Sequence, residues 1–212
     1  MDYTALKVRL DDLYAQMNEP QGVVPEWAEP AMSGAEIKEQ EARLGCKLPG
    51  EMSSALAAFS GISHDTPLYL GAAFKDLQKQ VILQSGRELG KEDFQDDLEI
   101  TVLYSPQEWR GEELQELRAI DAEGLGEVES HQQIAVEADM AWLNDERFIL
   151  IGTTYSQSLY LNLMDVNSPH YGAVYNLVFP YPFAVLYKVA DGYQDLFEKI
   201  EASLQRKLKS LG

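Results

Sequence analysis

The sequence predicts an α+β fold in which an antiparallel or mixed sheet packs against N-terminal helices and a long C-terminal helix. Three observations predict it. Apolar residues recur at helical spacing near both ends, alternating segments rich in β-branched residues cluster in the second half, and no strand–helix–strand alternation connects them. The 212 residues include 45% hydrophobic and 25% charged side chains, the composition of a folded globular chain rather than a disordered or fibrous one. A chain of this length is expected to form one domain over 1–212 and to bury roughly 70% of its unfolded surface, which requires no structural metal or disulfide. Within it, 1–32 supply a helix and a Pro-rich connector, and 33–204 supply the core, interrupted by an acidic middle segment, 88–146.

Leu6, Leu10, Leu13 and Met17, widened by Tyr14, predict an amphipathic helix over 3–17. Pro20, Pro25 and Pro30 then break the helical pattern around Trp27, whose indole is expected to anchor the connector across the core. Ser33-Gly34-Ala35-Glu36 is a capping box opening a helix over 34–44, and Gly45 suits its left-handed end. Pro49 opens a second helix with a face of Met52, Leu56 and Phe59, closed by Gly61. Leu68-Tyr69-Leu70 predicts a short strand, 74–83 a weaker helix, 98–104 a half-buried strand, and Leu114, Leu117 and Ile120 another helix. Strands are expected over 148–151, 158–163 and 172–178, with a turn over 152–157. A closing helix is expected from Asp191, capped by its own carboxylate, with an apolar stripe from Leu196 to Leu211.

The single cysteine, Cys46, rules out an intrachain disulfide and suits a reducing compartment. Residues 1–9 mix acids and bases with apolar residues, unlike a signal peptide, and the apolar run 177–187 is interrupted by Pro180 and Pro182. A soluble, cytoplasmic protein is expected.

Charge narrows the partners. The net charge is −18, and 18 acidic against three basic residues place −15 of it between Glu88 and Glu146. Such a surface repels nucleic-acid backbones and anionic membranes and attracts basic proteins. Two readings stand for the segment, a solvated acidic face or a docking surface for a basic partner. The second nominates Asp96, Asp97, Glu112, Glu113 and Glu116, with Trp109 and the loop tyrosines Tyr155 and Tyr171 as aromatic anchors.

The familiar catalytic signatures are missing. His64, His131 and His170 lack zinc-ligand spacing, and no nucleophile elbow, Walker A loop or dinucleotide fingerprint occurs. An EF-hand counted from Asp121 fails where Leu125 and Gln132 replace chelating side chains. Cys46 has no local histidine partner and reads as a small buried apolar residue. Neither a cofactor nor a metal is expected.

Glu36-Ile37, Glu41, Leu44-Gly45, Leu48-Pro49, Leu56 and Gly61 together resemble the opening pattern of the SUKH superfamily, which includes fungal cell-wall assembly regulators and bacterial immunity proteins. Ile149-Leu150-Ile151-Gly152, Leu159 to Leu163, Gly172 to Tyr175 and Ala190 to Tyr193 resemble its later part in the same order. The resemblance covers about 33–204 in two blocks that flank the acidic middle. Gly192 and Asn162 depart from it, standing where serine and aspartate are common. It implies a non-catalytic α+β domain that binds proteins, commonly neutralising a toxin, and it transfers no catalytic residue. Joined to the charge, it leads to the expectation of an immunity protein that covers a basic, nuclease-like toxin domain. The alternative is an intracellular scaffold or adaptor of the cell-wall regulator type with no toxin partner.

Overall fold

Among the described residues, seven strands form one antiparallel sheet, in the order β1 (Trp27–Ala28), β2 (Gly61–Ile62), β5 (Val102–Leu103), β6 (Phe148–Thr153), β7 (Leu159–Leu163), β8 (Val174–Val178) and β9 (Val185–Ala190), with helices from both ends of the chain packed on it. The expected α+β class is therefore observed. The computed structural model describes residues 1–17, 27–28, 31–59, 61–62, 68–69, 99–100, 102–103, 148–153, 159–178 and 185–211.

Helix α1 (Tyr3–Met17) buries Tyr3, Leu6, Leu10 and Tyr14 along one stripe, as the spacing requires. Strand β1 (Trp27–Ala28) holds the connector. The Trp27 indole N–H donates to Asp11 at 2.7 Å, Lys7 sits over its ring, and the ring meets Phe59 at 4.7 Å between centroids. Helix α2 (Gly34–Leu44) opens with the full capping box, Ser33 accepting from the Glu36 N–H and Glu36 accepting from the Ser33 N–H. It ends at Gly45, whose φ of 66° is the left-handed conformation that stops a helix. Helix α3 (Gly50–Leu56) is shorter than expected. Pro49 stands just before it, Ala57 ends it, and Gly61 instead lies in β2 (Gly61–Ile62), paired with Ala28.

The predicted strand over 98–104 divides. β4 (Glu99–Ile100) pairs with β3 (Leu68–Tyr69) in a separate two-stranded sheet, whereas β5 (Val102–Leu103) joins the large sheet between β2 and β6. β6 (Phe148–Thr153) runs two residues into the expected turn, with a register irregularity between Leu150 and Gly152. β7 (Leu159–Leu163) and β8 (Val174–Val178) follow the expected order, and β9 (Val185–Ala190), a strand not expected from sequence, completes the edge. The expected helices over 74–83 and near 114–120 lie outside the described residues.

Helix α4 (Tyr193–Leu211) starts two residues later than expected. The Asp191 carboxylate pairs with Lys188 at 2.6 Å rather than capping the helix, and this hydrogen bond holds its pKa below the ordinary carboxylate value. The Gln194 N–H is instead taken by Glu51 of α3 at 3.2 Å. α1 and α4 run side by side in the same direction, tied by Met1 to Gln194 and by a two-point Arg9–Glu201 bond at 2.7 and 3.1 Å. Leu6, Leu10, Leu196, Phe197, Ile200 and Leu204, each fully buried, share one core cluster with Ile149, Ile151, Val174 and Val189 of the sheet. At roughly 1.5–3 kcal/mol per buried large side chain, this layer is a principal source of stability. The α4 stripe leaves the core after Leu204, and Leu211 is 67% exposed. Phe148, Leu150, Leu163 and Tyr175 alternate with the core residues and are also buried, so both faces of the central strands are shielded from solvent. Among the described residues, no helix is long and apolar enough to cross a membrane.

Candidate functional site

The two sequence blocks converge where the α2–α3 turn meets the β7–β8 loop and the start of α4. Three contacts join them. The Tyr171 hydroxyl donates to the carbonyl of Lys47. Gly172 adopts a φ of 87° beneath Pro49, where an added Cβ would lie 3.0 Å from the proline Cγ. Gly192 leaves room for Glu51, whose Oε2 would stand 2.5 Å from a Cβ at that position. The glycines therefore permit close approach, and at Gly172 the backbone conformation requires glycine as well.

Glu41, on the last turn of α2, organises the turn. It accepts from Lys47 Nζ at 2.8 Å and from the Leu48 N–H at 3.1 Å. The Lys47 bond, then the Leu48 bond, hold its carboxyl below the usual pKa. Beside it, Lys38, Glu41, Ala42, Gly45, Cys46 and Lys47 line an open depression of about 470 Å³. Cys46 is half-buried rather than fully buried, and burial followed by the Glu41 charge pushes its thiol pKa up. That favours the protonated thiol over the nucleophilic thiolate. Burial likewise raises the Tyr171 pKa and keeps the hydroxyl a donor. The depression thus offers hydrogen bonds and a lysine rim, which suit recognition. Among the described residues, no group of three or more His, Cys, Asp or Glu side chains could hold a metal.

Of the residues nominated from sequence, the structure brings Tyr171 to this junction, half-buried. Asp96, Asp97, Trp109, Glu112, Glu113, Glu116 and Tyr155 lie outside the described residues. Glu51 was missed by sequence reasoning. Its only local signal is an acidic side chain in the first turn of a helix, which by itself points to the helix dipole and not to a contact 143 residues away. Glu41 belongs to the sequence motif, which carries no sign of its role in closing the turn. No protein-family model matches the chain, and neither a curated protein nor a solved structure matches it. The likeness to the SUKH superfamily accordingly rests on the motif residues themselves.

Proposed function

We propose that this chain is a non-catalytic, protein-binding immunity protein that neutralises a basic toxin domain, with the acidic middle segment entering or covering the toxin's cationic cleft. The observation that carries the reading is the uneven distribution of charge. Residues 88–146 hold 18 acidic and three basic side chains, whereas the rest of the chain holds 17 acidic and 14 basic, a net −3. Four of the 14 cations outside the segment have local partners: Arg9, Lys47, Lys188 and Lys199 pair with Glu201, Glu41, Asp191 and Asp195. These four are thereby engaged, and the three cations of the segment itself are too few to balance its 18 acids.

Charge complementarity acts mainly on encounter. Unlike charges speed association and make it sensitive to salt, and aromatic anchors such as Trp109, Tyr155 and Tyr171 would slow dissociation. The test is co-expression with a basic toxin domain encoded beside this chain, read as growth rescue and as formation of a complex. Reversing Glu112, Glu113 and Glu116 together to lysine is expected to lower the association rate at low salt by about tenfold or more, with a smaller effect at high salt. An unchanged rate would remove these residues from the docking surface. Absence of both rescue and complex would remove the proposed function.

A further inference from the structure

We infer that Asn162 and Asn176 form a buried site for a small uncharged molecule that donates and accepts hydrogen bonds at once, and that its occupant is an internal water. Asn162 pairs in register with Ile149 on β6 and Val174 on β8, and Asn176 pairs with Tyr160 on β7 and Tyr187 on β9. The two asparagines are thus diagonal neighbours on one face of the sheet, the face whose Ile149 and Val174 belong to the main core. Both are 0% exposed. The Asn162 Nδ2 donates to the Gly172 carbonyl at 2.8 Å, but Asn162 Oδ1 and both polar atoms of Asn176 have no hydrogen-bond partner among the described residues.

A buried carboxamide left unpaired is far more costly than an apolar side chain of the same shape. Exchanging oxygen and nitrogen at Asn176 does not help, because both atoms are unpartnered. The chemistry of the occupant follows from the groups it must satisfy. Two acceptor oxygens and one donor nitrogen present three bonds, and internal waters typically make about three. The carboxamides are neutral, and none of the residues paired with them, Ile149 and Val174 beside Asn162 and Tyr160 and Tyr187 beside Asn176, carries a charge at neutral pH, so an ion here would lose its hydration without a compensating charge.

The test uses the full chain labelled with ¹⁵N. Cross-relaxation between the Asn176 side-chain amide and a long-lived water is expected in the unsubstituted protein. The count of internal waters from magnetic relaxation dispersion should fall by one or more in Asn176→Leu. The urea midpoint should fall as well, since the substitution strips Asn162 Oδ1 of its water-mediated partner. A raised midpoint, or an unchanged water count, would show that the carboxamides are orphaned and would overturn the site. If Asn176→Leu does not fold, the cross-relaxation in the unsubstituted protein decides alone, and its absence overturns the site.

Discussion

The junction around Pro49 and Gly172 and the acidic segment 88–146 use their side chains in opposite ways. At the junction named charges have partners and two glycines make room for named atoms: Glu41 holds Lys47 and Leu48, Gly172 receives Pro49, and Gly192 receives Glu51. The acidic segment carries 15 more negative than positive charges. Paired groups in close contact fix a conformation, whereas surplus like charge opposes compactness and favours an encounter with the opposite sign. Under the proposed function, the first region builds the protein and the second selects what it meets.

Substitutions should separate the two roles, most sharply at Gly172. Gly172→Val places a β-branched side chain at a φ of 87° and drives its Cβ to 3.0 Å from Pro49 Cγ. Left-handed strain of about 1–2 kcal/mol and overpacking of about 1–3 kcal/mol together give a loss of roughly 2–5 kcal/mol. Urea unfolding measures it. A loss below about 1 kcal/mol would mean that the β7–β8 loop moves freely from Pro49 and that the junction does not fix the fold.

A smaller effect is expected at alkaline pH, where carboxylates no longer titrate and the acidic segment is silent. Tyr175 is buried beside Phe148, with ring centroids 5.5 Å apart, and burial followed by the Asp191 charge raises its pKa to about 12. A folded-state pKa above the unfolded value near 10 favours the neutral phenol. Its stabilisation is therefore complete below pH 10 and is lost as pH rises from 10 through 12. Two pH units correspond to up to about 3 kcal/mol. Tyr175→Phe should lose less stability than the unsubstituted protein over that interval. Tyr3 and Tyr193, also raised by burial, contribute equally to both proteins and cancel in the difference. Parallel pH curves would place the Tyr175 hydroxyl in water.

The parts of the fold legible in sequence are those decided by neighbours along the chain. Ser33, Glu36 and Gly45 begin and end α2 with bonds that close over a few residues, and the spacing of Leu6, Leu10 and Tyr14 needs only a sheet to face. Strand β9 escaped because Pro180 and Pro182 precede it and its pairing with β8 carries a shifted register at Val174/Tyr175. A side chain from β9, Lys188, also took the Asp191 carboxylate from the start of α4, a competition that helix-capping rules do not contain. The division of 98–104 between two sheets likewise depends on partners at 61–69 and 148–153 rather than on local alternation. At the candidate site, Tyr171 was legible as a loop tyrosine, and Glu41 as a motif residue. The link from Glu51 to Gln194 arises only when α3 packs beside α4, so it had no local signature.

The smallest expected effect contrasts the two regions most directly, because both respond to acid, with opposite signs. Protonating carboxylates that repel one another relieves strain, whereas protonating Glu41 removes the bonds that close the α2–α3 turn. The lowered pKa of Glu41 in the folded state makes its contribution complete above the unfolded value near 4.5 and lost as pH falls through the folded value. Glu41→Gln keeps the shape and removes the charge, and should cost about 1 kcal/mol at pH 7, the scale of one charge-assisted hydrogen bond at a surface. In urea unfolding, the difference between Glu41→Gln and the unsubstituted protein should be present at pH 7, narrow below pH 4.5 and vanish once Glu41 is protonated in both states. A difference that stays constant from pH 7 to pH 3 would assign the cost of the substitution to packing, and the junction would then owe nothing to the ion pair with Lys47.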